Sequence, residues 1–214
     1  MPSEKTAGFD TGVDKDEYAE RASNDTATLA AVMDALSGAD RRNRQYAARV
    51  VQAIAIHKPV VLRPYADALA DALDRPESQT RWEILGALEK LVAEDARMID
   101  RALPGITTAL HDSDSGVVRL AAFRVLSAYG STTARRSERV WPLIDEAIRV
   151  YHGDAEFPAM LSGVVRLVSG GAADSVKLAA AERMEFDAEH TKGLVGRRAK
   201  RIVECAPKKR AHKS

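Results

Sequence analysis

Apolar residues recur at spacings of three and four along most of the chain, as in Leu29, Val32, Met33 and Leu36, and again in Ala47, Val50, Val51 and Ile54. That period gathers them on one side of an α-helix. No stretch alternates apolar and polar residues at any length, so no strand is predicted. The helical pattern is broken at Ser37-Gly38-Ala39-Asp40, His57-Lys58-Pro59, Asp74-Arg75-Pro76-Glu77, His111-Asp112-Ser113-Asp114, Tyr129-Gly130-Ser131, His152-Gly153-Asp154 and Ser169-Gly170-Gly171. Such Gly, Pro and Asp clusters end helices, and they leave segments of roughly 10–18 residues joined by short loops.

The breaks are periodic. Met33-Asp34-Ala35-Leu36, Ala70-Asp71-Ala72-Leu73 and Thr107-Thr108-Ala109-Leu110 place their last leucines 37 and 37 residues apart. Each is followed by a polar turn and then by an arginine that opens an apolar helix: Arg44, Arg81 and Arg119. Two helices per unit at this period are the mark of an α-solenoid, whose units cannot bury their apolar faces alone.

Residues 103–126, running from Leu103-Pro104 through the turn Leu110-His111-Asp112-Ser113-Asp114 to Val118-Arg119-Leu120-Ala121-Ala122, resemble a HEAT repeat. That family pattern has an A helix with an early proline, an L-x-D-x-D turn and a B helix opened by V-R-x-x-A. The Arg44 and Arg81 units match in part, with Asn43 and Thr80 before the arginine, and the later units match in period alone. The resemblance implies an all-α, right-handed α-α superhelix of about five helical pairs over residues 27–206. It also implies that the A helices line the convex side and the B helices the concave, partner-facing side.

Charge separates the ends. Residues 1–26 carry a net of −4 without a periodic apolar pattern, which predicts an acidic, mostly disordered arm. Residues 191–214 carry a net of +8 and end in the basic tail 207–214. The whole chain of 214 residues is at +1, so its total charge does not argue for nucleic acid. One cysteine, Cys205, no apolar stretch of membrane-spanning length and an N-terminus without an apolar signal core predict a reducing, cytoplasmic setting.

At 100° per residue, Val118, Ala121, Ala122, Val125 and Tyr129 fall on the predicted core face of the third B helix. The opposite face collects Leu120, Phe123, Arg124 and Ser127. The same register in the other units places Arg49, Arg124, Arg166 and Arg201 at equivalent outward positions, with Gly86 as the gap. Arginine suits bidentate capture of carboxylate or phosphate. Trp82, Leu85, Leu120 and Phe123 are outward in this register and predict apolar anchors among the arginines; burial between stacked B helices is the alternative for Trp82 and Phe123. The predicted function is non-enzymatic binding of a protein or peptide, through Arg49, Trp82, Leu85, Leu120, Phe123, Arg124 and Arg166. An alternative is association with nucleic acid or the ribosome through Arg197, Arg198, Lys200, Arg201, Lys208, Lys209 and Arg210.

Enzymatic signatures are sparse. There is no Gly-rich phosphate loop and no G-x-S-x-G elbow, and the five histidines lie in different units without metal spacing. No cofactor, metal or small-molecule substrate is predicted. Trp141 and Asp145, four apart, are similar to the Trp/Asp pair of HEAT-like DNA glycosylases. Trp141 precedes Pro142, which predicts a helix start and a hydrophobic staple instead.

Overall fold

The structure, a computed structural model, describes residues 9–207. Among these are eleven α-helices: α1 (Lys15–Asn24), α2 (Thr26–Ser37), α3 (Arg41–His57), α4 (Ala66–Asp71), α5 (Ser78–Asp95), α6 (Ile99–Leu110), α7 (Gly116–Gly130), α8 (Ala134–Val150), α9 (Phe157–Ser169), α10 (Asp174–His190) and α11 (Gly193–Glu204). Short 3₁₀ turns flank α4 and precede α6. No described residue lies in a strand.

Side-chain caps set several starts. Asp14 accepts from the amides of Asp16 and Glu17, Asp25 from that of Thr28, and Asp40 from that of Asn43. Each satisfies an amide that has no partner within the helix. Pro104 and Pro142 lie inside α6 and α8 without ending them. Trp141 is therefore in the body of α8, seven residues after its first residue Ala134, and not at a helix start.

The chain forms two compact units, Met1–Val118 and Arg119–Ser214. In the first, α3 packs on α5, α2 packs on α3, and α4 packs on α6. The acidic segment is not the disordered arm its composition predicts, at least over its described part. α1 packs on α2 and α3, burying Tyr18, Ala19 and Ala22. Phe9 meets the rings of Tyr18 and Tyr46 edge-on at 5.4 and 5.5 Å, and the Tyr46 hydroxyl donates to the Val13 carbonyl at 2.5 Å. The segment thus caps the first repeat, with its charged side chains facing water.

In the second unit α10 packs on α8 and α11, and α11 packs on α9. Gly163 of α9 makes room for α7: a β-carbon there would lie 2.7 Å from Ser127 Oγ and 3.2 Å from the Phe123 ring. Of the predicted core face, Val118, Ala122, Val125 and Tyr129 are buried and Ala121 is half-buried.

The arginines that open the B helices bind the next turn along the chain. Arg44 pairs with Glu77 and also donates to the carbonyls of Gly38 and Ala39. Arg81 pairs with Asp112 at 2.5 Å, and Arg119 with Asp154 at 3.1 Å. Asp112 also caps its own turn, accepting from the amides of Asp114 and Ser115. The 37-residue recurrence is thus a set of rungs joining each repeat to its neighbour. The Arg44 guanidinium holds the Glu77 carboxyl below the usual carboxylate range.

Candidate partner-binding surface

The outward register separates into exposed cations and buried apolar residues. Arg49, Arg124, Arg166 and Arg201 are exposed. Leu85 and Phe123 are fully buried, at 0% exposure, so neither is a surface anchor. Trp82 and Leu120 are half-buried. The reason is stacking. A helix inside a row of helices is covered on more than one side, and Phe123 turns onto α9 beside Gly163. The gap at Gly86 is filled by its neighbour, since a β-carbon there would meet the Gln52 side-chain amide at 2.4 Å.

In the first unit Arg49 lies over the Tyr46 ring, 5.4 Å from its centre. The nearby Glu83 is buried on α5. Burial pushes its carboxyl upward, opposed by a hydrogen bond from Trp82 and by the charges of Arg49 and Lys15.

In the second unit contacts fix the orientation of three successive B helices. Phe123 and Ser127 of α7 face α9 at Gly163. Ser169, at the end of α9, approaches Cys205, just after α11, with Oγ and Sγ 3.6 Å apart. Arg198 of α11 donates to the Pro158 carbonyl at the start of α9. α9 and α11 therefore run side by side in the same direction. Arg124 is one residue round from Phe123, Arg166 is three residues before Ser169, and Arg201 is four residues before Cys205. All three are exposed. Ser162 and Arg197 are exposed as well. Of the residues predicted to bind polyanions, Arg197, Lys200 and Arg201 are exposed. Arg198 is half-buried and tied to α9. Lys208, Lys209 and Arg210 lie outside the described residues.

Trp141 and Asp145 line a pocket of about 270 Å3 with Ala179, Glu182 and Arg183. Asp145 is bound by the Arg183 guanidinium through both oxygens, at 2.6 and 3.1 Å, and lies 3.6 Å from Arg149. A carboxylate so engaged has its oxygens committed to structure. His152 contacts the buried Asp187 at 2.9 Å, which is likewise a repeat-to-repeat contact. Among the described residues no group of three or more His, Cys, Asp or Glu side chains is placed to hold a metal ion. No helix among them is long and apolar enough to cross a membrane.

No family model and no curated protein matches the chain. Solved structures do. A designed armadillo repeat protein in complex with the peptide (KR)4 is similar over 90% of each chain, at 15% identity and a TM-score of 0.74. An engineered protein matches 93% of this chain and 92% of its own, at 16% identity and a TM-score of 0.69. The archaeal HEAT-like repeats protein from Thermococcus onnurineus NA1 matches 88% of this chain and 90% of its own, at 14% identity and a TM-score of 0.56. The chain has the fold of the HEAT-like and armadillo helical-repeat solenoids.

Proposed function

We propose that the protein is a non-catalytic scaffold that holds a protein or peptide segment on the outward sides of its B helices. The observation that carries this reading is the exposure of Arg124, Arg166 and Arg201 on three successive B helices of the second unit. Such a row binds ligand along its length without any one helix providing a pocket. Leu120 adds a half-buried apolar contact beside Arg124, and Arg49 and Trp82 form a separate outward set in the first unit. Support also comes from the solenoid of the same fold that carries a peptide. A lone cysteine fits a reducing, cytoplasmic setting.

Selection from a random-peptide display library against the full chain tests the reading. Peptides are expected to be enriched whose binding falls at least fivefold with Arg49→Glu or Arg124→Glu. No enrichment, or binders indifferent to both substitutions, would overturn it.

A second reading rests on α11, where Arg197, Lys200 and Arg201 face water and Glu204 is the one carboxylate. That helix would attach to nucleic acid, and retention on heparin would fall steeply with salt.

A further inference from the structure

Between α1 and α3 of the first unit lies a groove of about 570 Å3. Its floor is Ala19 and Ala53, both buried, and their short side chains leave it hollow. Glu17 and Glu20 of α1 line it and are exposed. The cations around it are engaged elsewhere. Lys15 pairs with Asp16 at 2.7 Å, and Arg21 lies over the Tyr18 ring, 5.0 Å from its centre. The Lys58 ammonium donates to the Ser23 carbonyl at 2.9 Å and to Asn24 Oδ1 at 3.1 Å. Among the described residues neither Glu17 nor Glu20 has an ion-pair partner. The helix dipole favours Glu17 in the first turn of α1, but Glu20 lies beyond its reach, and two like charges on one helix face repel. A cation laid along the groove relieves that repulsion.

The chain carries a segment of matching chemistry. Residues 208–214 hold Lys208, Lys209, Arg210 and Lys213 and no carboxylate. They lie outside the described residues and follow Pro207, close after α11. We propose that the groove binds residues 208–214 of a second copy of this chain, with Lys208 and Arg210 seated on Glu17 and Glu20. Three apart on a helix, the two glutamates have β-carbons about 5–6 Å apart. Alternate residues of an extended chain, such as Lys208 and Arg210, point the same way about 6.6 Å apart. Lysine and arginine lay their methylene stems on apolar surface while the head group stays at the water boundary, and Ala19 and Ala53 supply that surface. Length also suffices: seven extended residues cover about 23 Å, against about 12 Å along α1 from Asp16 to Asn24.

The groove is in the first repeat and the segment follows the last, so the contact joins copies head to tail. Each copy offers one groove and one basic segment, which makes the contact heterologous. Its charges are exposed, so salt weakens it. It uses none of the arginines that carry the scaffold reading and does not depend on that reading.

Sedimentation velocity on the full-length protein tests the proposal. At low salt the chain is expected to self-associate as its concentration rises, and to return to monomer in high salt. Glu17→Lys with Glu20→Lys, and separately Lys208→Glu with Arg210→Glu, should each raise the dissociation constant at least tenfold. Mixed in equal amounts, these two variants should associate again to within threefold of the parent, because the intact segment of one meets the intact groove of the other. Glu185→Lys with Glu189→Lys, an equally exposed pair on α10, should leave association within twofold of the parent. Thermal melts establish that each variant is folded; should the reversed α1 pair melt early, Glu17→Gln with Glu20→Gln replaces it and should still weaken association. A chain that stays monomeric at every concentration overturns the proposal, whether the groove is then filled by its own segment or by a basic segment of another protein. Indifference to the α1 pair, equal loss from the α10 pair, or no recovery on mixing would overturn it too.

Discussion

Phe123 and Arg124 are neighbours with opposite fates, and their contrast shows what a single residue contributes here. Phe123 fills the seam between α7 and α9, while Arg124 faces water. Phe123→Ala should cost about 3–5 kcal/mol in urea unfolding, because a buried aromatic leaves both lost contacts and a cavity. Arg124→Glu should leave stability nearly unchanged. Arg44 is buried against Glu77, and removing one partner strands the other. Arg44→Ala should therefore cost about 3 kcal/mol. The same pair sets a pH dependence. The folded Glu77 carboxyl titrates below its ordinary value of 4.5, so its stabilisation is complete above that value and is lost as pH falls below it. A Glu77→Gln variant should melt lower at pH 7 and lose less stability than the parent between pH 5 and 3. The burial of Leu85 was not legible in the sequence, because a helical wheel assumes one buried side, whereas that of Phe123 was the alternative the stacking of B helices offered. Arg49, Arg124 and Arg166 were easier to place, since a long charged side chain keeps its head group in water.

At the scale of the element, α1 is the instructive case. It buries one tyrosine and two alanines, too few apolar residues to stand out from an acidic composition. Its start was nevertheless written in the chain, in the capping aspartate Asp14 followed three residues later by Glu17. Burial of Tyr18, Ala19 and Ala22 is worth about 3 kcal/mol. Deleting residues 1–24 should lower the melting temperature by roughly 6–12 °C and bare the Tyr46 side of α3. An unchanged melting curve would show that the segment is a solvated tail. α11 makes the complementary point. Gly196 is buried, and a β-carbon there would come within 1.9 Å of the Thr191 carbonyl oxygen. Gly196→Ala should destabilise the protein even though alanine favours an isolated helix by about 1 kcal/mol. Thermal melts of the variant check this.

For the whole molecule, the repeat was legible because turns leave a strong mark: glycine, proline and aspartate at fixed intervals, each followed by an arginine. The pairing of those arginines was not, since a sequence period does not say which acid each one meets. The rungs have a consequence for how the chain reaches its native state. Arg44 and Glu77 are 33 residues apart, Arg119 and Asp154 are 35 apart, and His152 and Asp187 are 35 apart. Each rung closes a loop of one repeat. Loop closure costs rise with length, and chains whose contacts are mostly local reach their transition states quickly. Refolding from urea, followed by stopped-flow fluorescence of Trp82 and Trp141, should show a dominant phase on the order of milliseconds or faster. Arg119→Ala should speed unfolding more than it slows folding if its rung forms late, and the ratio of the two effects reports when neighbouring repeats lock together.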